Sequence, residues 1–128
     1  MVEERAPSSV LVVDDEPQVA WVLRFSLEAE GYRTLTARDG VAALEAVREH
    51  RPTLMLLDIM MPTMDGWSVL EEMRRIPAGE RPRVVVVSAL ASLRDRARAA
   101  ELGADAFVPK PFDVDELLGV LHDLERAS

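Results

Sequence analysis

Four short stretches of this chain carry side chains that could do chemistry together: Asp14-Asp15, Asp58, Ser88 and Lys110. Three carboxylates brought into one small pocket repel one another and raise each other's pKa. A hard divalent cation relieves that repulsion. Oxygen-only ligands with an octahedral preference point to Mg²⁺, with room left for waters and a phosphoryl oxygen. A carboxylate can also attack phosphorus and form an acyl phosphate. The transferred group then carries charge on three oxygens. A metal can take one, an ammonium another, and a hydroxyl plus backbone N–H groups the third. Asp58, the cation, Lys110 and Ser88 supply this set. The plainer readings are that Asp14-Asp15 caps the helix that follows, as Asp15 or Glu16 before Pro17 could, and that Ser88 and Lys110 are ordinary loop residues. Two adjacent acids plus a third, each placed directly after an apolar run, weigh against caps alone. Among 15 basic residues Lys110 is the only lysine, where an ammonium differs from a guanidinium in being a compact charge.

These residues need a scaffold that brings them to one edge, and the chain alternates in the way that supplies one. Val10 to Val13 is a short apolar run, a buried strand. Pro17 to Glu30 has helical spacing and stops at Gly31. Thr34 to Ala37 alternates and reads as a half-buried strand. Asp39 caps a helix to about His50, which Pro52 ends. Leu54 to Leu57 is a third strand, and Asp65-Gly66 opens a helix from Trp67 to about Arg75. Val84 to Val87 is a fourth strand, and Ser92 caps a helix that ends at Leu102-Gly103. Ala106 to Val108 is a fifth strand, and Asp113 caps a last helix through Leu124. Five βα units demand parallel strands, right-handed crossovers and helices on both faces. The continuously apolar first, third and fourth strands suit the centre; the second and fifth suit the edges. The expected fold class is therefore α/β, a single doubly wound (βα)5 flavodoxin-like domain with strand order 2-1-3-4-5. Its ligand crevice lies beyond the carboxyl ends at the switch point between strands one and three.

Composition sets the outer bounds. The chain has 128 residues, no cysteine and a net charge of −8, which suits one domain without disulfides or Cys-based metal sites. No apolar run approaches the length of a membrane span, and the first residues lack the apolar core of a signal peptide. The expected location is cytoplasmic, without a membrane partner. An acidic chain also disfavours direct nucleic-acid binding.

The motifs Val12-Val13-Asp14-Asp15-Glu16-Pro17, Leu56-Leu57-Asp58-Ile59-Met60-Met61-Pro62-Thr63-Met64-Asp65-Gly66, Val86-Val87-Ser88-Ala89 and Gly103-Ala104-Asp105-Ala106-Phe107-Val108-Pro109-Lys110-Pro111-Phe112 resemble, in this order, the response-regulator receiver domain of two-component signalling. The resemblance runs from about Val10 to Leu124. It implies a receiver domain over residues 9–125, between a flexible N-terminus (1–8) and a flexible tail (126–128). It implies that Asp58 is the phosphoacceptor and that Mg²⁺, or Mn²⁺ in its place, is held by Asp14, Asp15, Asp58 and the backbone carbonyl of Met60. Ser88, the Ala89 backbone N–H and Lys110 would bind the phosphoryl group. Ser88 and Phe107 would form the switch, and the Lys110–Pro111 peptide would be cis, aiming the lysine into the site.

The implied function is a phosphorylation-activated signalling switch. A sensor histidine kinase or phosphotransfer protein donates the phosphoryl group. The surface of the fourth helix, fifth strand and fifth helix then controls an unidentified output partner or domain. A phosphorylation-dependent homodimer is among the assemblies this allows. The domain would not be an enzyme in the usual sense, but a self-catalysed phosphoacceptor with slow autodephosphorylation. Serine stands at 88 where threonine is commoner, keeping the hydroxyl with less rotamer stiffness. Phe107 stands where tyrosine is frequent. Met60 offers no acid or amide to orient water, so neither fast nor assisted autohydrolysis is expected.

Two other functions compete. A haloacid-dehalogenase-like phosphohydrolase uses the same groups but needs an Asp-x-Asp after its first strand, and Asp58 is followed by Ile59-Met60. A phosphate-independent receiver would bind partners only, yet every chemical position here is filled. Of the remaining features, Arg94, Arg96 and Arg98 read as a solvated face, with a charge-paired partner surface as the alternative. Trp21 and Trp67 read as core. His50 suits a helix C-terminus and His122 lies on the last helix; neither has a second ligand nearby.

Overall fold

The computed structural model describes residues 8–127. The ends expected to be flexible fall largely outside it, since residues 1–7 and Ser128 lie outside the described residues. The elements are β1 (Ser9–Val13), α1 (Pro17–Ala29), β2 (Arg33–Ala37), α2 (Gly40–His50), β3 (Leu54–Leu57), α3 (Gly66–Met73), β4 (Arg83–Ser88), α4 (Leu93–Glu101), β5 (Ala106–Pro109) and α5 (Val114–Arg126). A single 3-10 turn, Ala78–Glu80, that the sequence reading did not include leads into β4. All strands pair in parallel in the order β2-β1-β3-β4-β5, the order expected from their apolarity.

Strand residues alternate between faces with a period of two, and the core divides accordingly. Leu11, Val13, Met55, Leu57, Val84 and Val86 pack with Ala43, Leu44 and Val47 of α2, Leu70 and Met73 of α3 and Ala99 of α4. Val10, Val12, Leu54, Leu56, Val85 and Val87 pack on the other face with Leu23 and Leu27 of α1 and Leu117 and Leu121 of α5. Strands buried on both faces need continuous apolar runs, which Val10–Val13 of β1, Leu54–Leu57 of β3 and Val84–Val87 of β4 supply.

The expected caps form. Asp39, Asp65 and Asp113 accept backbone N–H bonds at the starts of α2, α3 and α5. Gly31 and Gly103 follow α1 and α4 with φ of +94° and +101°. Ser92 makes a reciprocal box: its Oγ accepts from Asp95 N at 3.1 Å, and Asp95 Oδ2 accepts from Ser92 N at 3.2 Å. Ser92→Ala should cost about 1 kcal/mol, a fall in Tm of roughly 3–5 °C for a domain of this size. Thermal denaturation of the two proteins checks it.

Two expectations about side chains need correction. Trp21 is not core: it is 64% exposed and stacks on Phe25, ring centroids 5.4 Å apart. The buried stripe of α1 is Leu23 and Leu27, flanked by Val19 and Ala20. With about 100° of turn per residue, Trp21 falls outside it and finds its partner four residues on. Trp67 does pack in the core. The α4 arginines are exposed, but Arg96 and Arg98 are not simply solvated. The Arg96 guanidinium lies 5.2 Å from the Phe107 ring centroid, and that of Arg98 lies 4.2 Å from the centroid of Trp67. A spacing of two sends them to different neighbours because it places them on opposite flanks of the helix.

Candidate functional site

The carboxyl ends of β1, β3, β4 and β5 meet at one edge, and parallel pairing sets what arrives there. Asp14 N donates to Ala37 O, Asp58 N to Val13 O, and Lys110 N to Ser88 O, so the first residues past the strands are held in register. Asp14 and Asp58 are buried, and Lys110 reaches both. Its Nζ donates to Asp14 Oδ2 at 2.9 Å and to Asp58 Oδ2 at 3.2 Å. Asp14 Oδ1 accepts from Glu16 N at 2.9 Å, and Asp58 Oδ1 from Met60 N at 3.3 Å. The Lys110–Pro111 peptide is cis.

The charges at this edge are not balanced by the one lysine. Burial pushes the Asp58 carboxyl above its usual value. The Asp14 charge adds to that, and together they outweigh the Lys110 ammonium and the Met60 N–H. For Lys110, burial works against the charged form. Its hydrogen bond to Asp14 and the charges of Asp58 and Asp14 more than offset this and raise its pKa. The lysine therefore stays an ammonium, while Asp58 is a carboxylate short of positive charge.

A carboxylate that the sequence reading assigned at most to capping joins the group. Glu16 occupies the N-cap position of α1 but makes no side-chain cap. Its Oε1 lies 3.6 Å from Lys110 Nζ. Carboxylate oxygens of Asp14, Glu16 and Asp58 all lie within 4.8 Å of one another, an all-oxygen set that could hold a cation. Asp15 is half-buried beside this set instead of within it. It lines an open cleft of about 530 Å³ with Ile59, Met60, Trp67 and Leu90. The signal for Glu16 was the third acid in Asp14-Asp15-Glu16. Pro17 starts the helix there, and only the fold shows which way the side chain turns.

Ser88 is fully buried at the end of β4, where its Oγ accepts from Leu90 N at 3.1 Å. Ala89, between them, is exposed. Phe107 is half-buried on β5 and pairs in register with Val86, two residues before Ser88. The loop after β3 is folded tightly. Gly66 N donates to Ile59 O at 2.8 Å, and Thr63 takes a φ of +68°. A Cβ on Gly66 would lie 2.5 Å from the Asp58 carbonyl oxygen. Gly66 thus lets α3 pack directly on the Asp58 backbone, a role the sequence reading did not give it. Its only sequence signal was an Asp-Gly pair shortly after Asp58.

No helix among the described residues is long and apolar enough to cross a membrane. Known proteins converge on one family. The chain is 42% identical over 119 residues to "Transcriptional regulatory protein KdpE" of Mycobacterium tuberculosis, covering 93% of this chain and 51% of that protein. It is 39% identical over 122 residues to "Response regulator MprA" of a Mycobacterium species, covering 95% and 52%. The chain thus spans about half the length of the curated relatives it matches. Among solved structures, the receiver domain of Francisella response regulator 1452 superposes with a TM-score of 0.87 at 31% identity, covering 94% of this chain and 99% of that one. The chemotaxis response regulator CheY4 of Vibrio cholerae gives 0.85 at 25% identity, covering 92% and 98%. The family model for the response regulator receiver domain matches residues 10–122, nearly the whole chain, and the chain belongs to that family.

Proposed function

We propose that Asp58 accepts a phosphoryl group and that this chain is the switch domain of a two-component regulator. The observation that carries the reading is the buried Asp58 carboxylate, held between Asp14 and the Lys110 ammonium at the carboxyl edge of the sheet. A carboxylate oxygen of Asp58 attacks phosphorus as the bond from phosphorus to the donor nitrogen or oxygen breaks. The product is an acyl phosphate, and the leaving group takes up a proton. Lys110 is already poised at the reacting oxygen, where a compact cation neutralises charge on the incoming group. Ser88 would exchange its bond from Leu90 N for one to the phosphoryl group, joined by the Ala89 N–H. Phe107, paired with Val86 two residues before Ser88, would respond with α4.

The donor set fits Mg²⁺ or Mn²⁺: three carboxylates within ion-binding distance, all oxygen, with too little positive charge of their own. Asp14, Asp58, the Met60 carbonyl and Asp15 would hold the ion, with Glu16 beside them. When bound, it supplies charge neutralisation to the carboxylates and the phosphoryl oxygens. The donor is a histidine kinase or phosphotransfer protein, and the output is a partner or further domain, as in relatives named transcriptional regulators. Autodephosphorylation is slow, because Met60 offers no group to orient water.

The test is intact-mass analysis after incubation with a small acyl phosphate. One phosphoryl group is expected with Mg²⁺ and none with a chelator. Mg²⁺ alone should raise Tm by several degrees at millimolar concentration, since only the folded site gathers the acids. Labelling that ignores the chelator, or a flat melting curve, removes the metal from the reading.

A further inference from the structure

We propose that Arg98 and Trp67 are positioning residues that tie α4 to the wall of the cleft lined by Asp15, Ile59 and Met60, next to Asp58 in the chain, with Arg96 on Phe107 as a second tie on the β5 side. The link to phosphoryl transfer rests on the reading of Asp58 given above; the mechanical part does not.

The need for such ties comes from α4 itself. It has nine residues, and Ala99 is its only buried one. Leu93, at its start, is 86% exposed. A helix this short is marginal by itself and must be held by tertiary contacts. With one alanine in the core, little apolar burial is available. What α4 does have is the Ser92–Asp95 capping box and two guanidinium–ring contacts, at 4.2 Å to Trp67 and 5.2 Å to Phe107. Both fall within the range where a ring quadrupole attracts a cation. They leave the helix in opposite directions, one toward α3 and one toward β5, so α4 is held on both flanks.

The two anchor rings are not equivalent to ordinary core aromatics. Trp67 follows Gly66, whose backbone packs against the Asp58 carbonyl. Its side chain lines the cleft with Asp15, Met60 and Leu90. Phe107 pairs with Val86, two residues before Ser88, and Lys110 N is bonded to Ser88 O. Contacts therefore run from Asp58 to α4 through Gly66, Trp67 and Arg98, while Lys110 joins Asp58 to Ser88, two positions along β4 from the residue paired with Phe107. A weakly buried helix at the end of such a route opens at low local cost. Anything that shifts the cleft wall should loosen or re-seat it.

Native-state hydrogen exchange of the full chain tests the ties without any phosphoryl donor. In Arg98→Gln, amides of Leu93–Glu101 should lose roughly two- to five-fold in protection, while those of β1 and β3 stay unchanged. Arg98→Lys, which keeps the cation, should restore most of the loss. Unchanged α4 protection, or an equal loss throughout the sheet, overturns the proposal. The link to the cleft is read from Trp67 fluorescence in a Trp21→Phe background. Adding a small acyl phosphate with Mg²⁺ should shift the emission, less so with Arg98→Gln and not at all with Asp58→Asn. A protein that labels fully with no change in Trp67 emission or α4 exchange overturns the link. Failure to label at all overturns the Asp58 assignment instead, and leaves the exchange result standing.

Discussion

Asp58→Asn should take up no phosphoryl group from an acyl phosphate and Mg²⁺ under conditions that label the parent protein fully. The substitution keeps the shape of the side chain and one oxygen, which can accept from Lys110 or from Met60 N but not from both, since these donors meet different carboxylate oxygens. It removes the anionic oxygen that attacks phosphorus, and an amide oxygen cannot replace it as a nucleophile. Intact-mass analysis checks this, and equal labelling of the variant would move the acceptor elsewhere, with Asp14 and Asp15 the first candidates. The same variant should be more stable than the parent without metal. The Asp58 pKa is raised in the fold by burial and by the Asp14 charge. A raised carboxyl contributes stability below its unfolded value, near 3.8, and loses it as pH rises through the folded value. At neutral pH the ionised group is therefore a cost. Replacing it with an amide removes that cost and should raise Tm at neutral pH. The gain should shrink as the pH falls through the folded value, where the parent carboxyl takes up a proton. Added Mg²⁺ should narrow the difference from the other side, by stabilising the parent more than the variant.

Gly66→Ala should destabilise the domain by roughly 2–3 kcal/mol, a drop in Tm of about 8–12 °C. The new Cβ would meet the Asp58 carbonyl oxygen at 2.5 Å and Ile59 Cα at 2.7 Å. Both are backbone atoms, so no rotamer change relieves the overlap. Either α3 moves off the sheet or the chain at Asp58 shifts, and the second displaces the reacting carboxylate. Labelling should therefore slow as well as the fold weaken. Gly119→Ala in α5 is the matched control, because an added Cβ there meets nothing within 4 Å. It should raise stability by about 0.5–1 kcal/mol through helix propensity alone. A Gly66→Ala protein as stable as the parent would show that the loop after β3 yields easily, and would weaken the route from Asp58 through Trp67 to α4.

Most of the fold is legible in the sequence because its elements announce themselves locally. Val10 to Val13, Leu54 to Leu57 and Val84 to Val87 are apolar at consecutive positions, and strands covered on both faces require that. Asp39, Asp65, Ser92 and Asp113 mark helix starts because unpaired N–H groups there need an acceptor. The alternation of the two patterns leaves few topologies, and apolarity ranks the strands within them. Trp21 shows where this stops. Its neighbours are apolar, yet a two-residue offset from the Leu23–Leu27 stripe turns the ring to solvent, and local composition does not record which face the sheet takes.

The residue types and their positions alone determined the fold class, the family and the side chains to watch: Asp14, Asp15, Asp58, Ser88 and Lys110. Each stands among the first polar groups after an apolar run, and parallel strands deliver such groups to one edge. Only the tertiary structure decided how they are shared there. It placed Glu16 near Lys110 and left Asp15 on the cleft wall. It set Gly66 against the Asp58 carbonyl, and Arg96 and Arg98 over Phe107 and Trp67. The reason is one of range. Strand and helix signals are written in neighbours a few residues apart, whereas these contacts join segments brought together only when the helices close over the sheet.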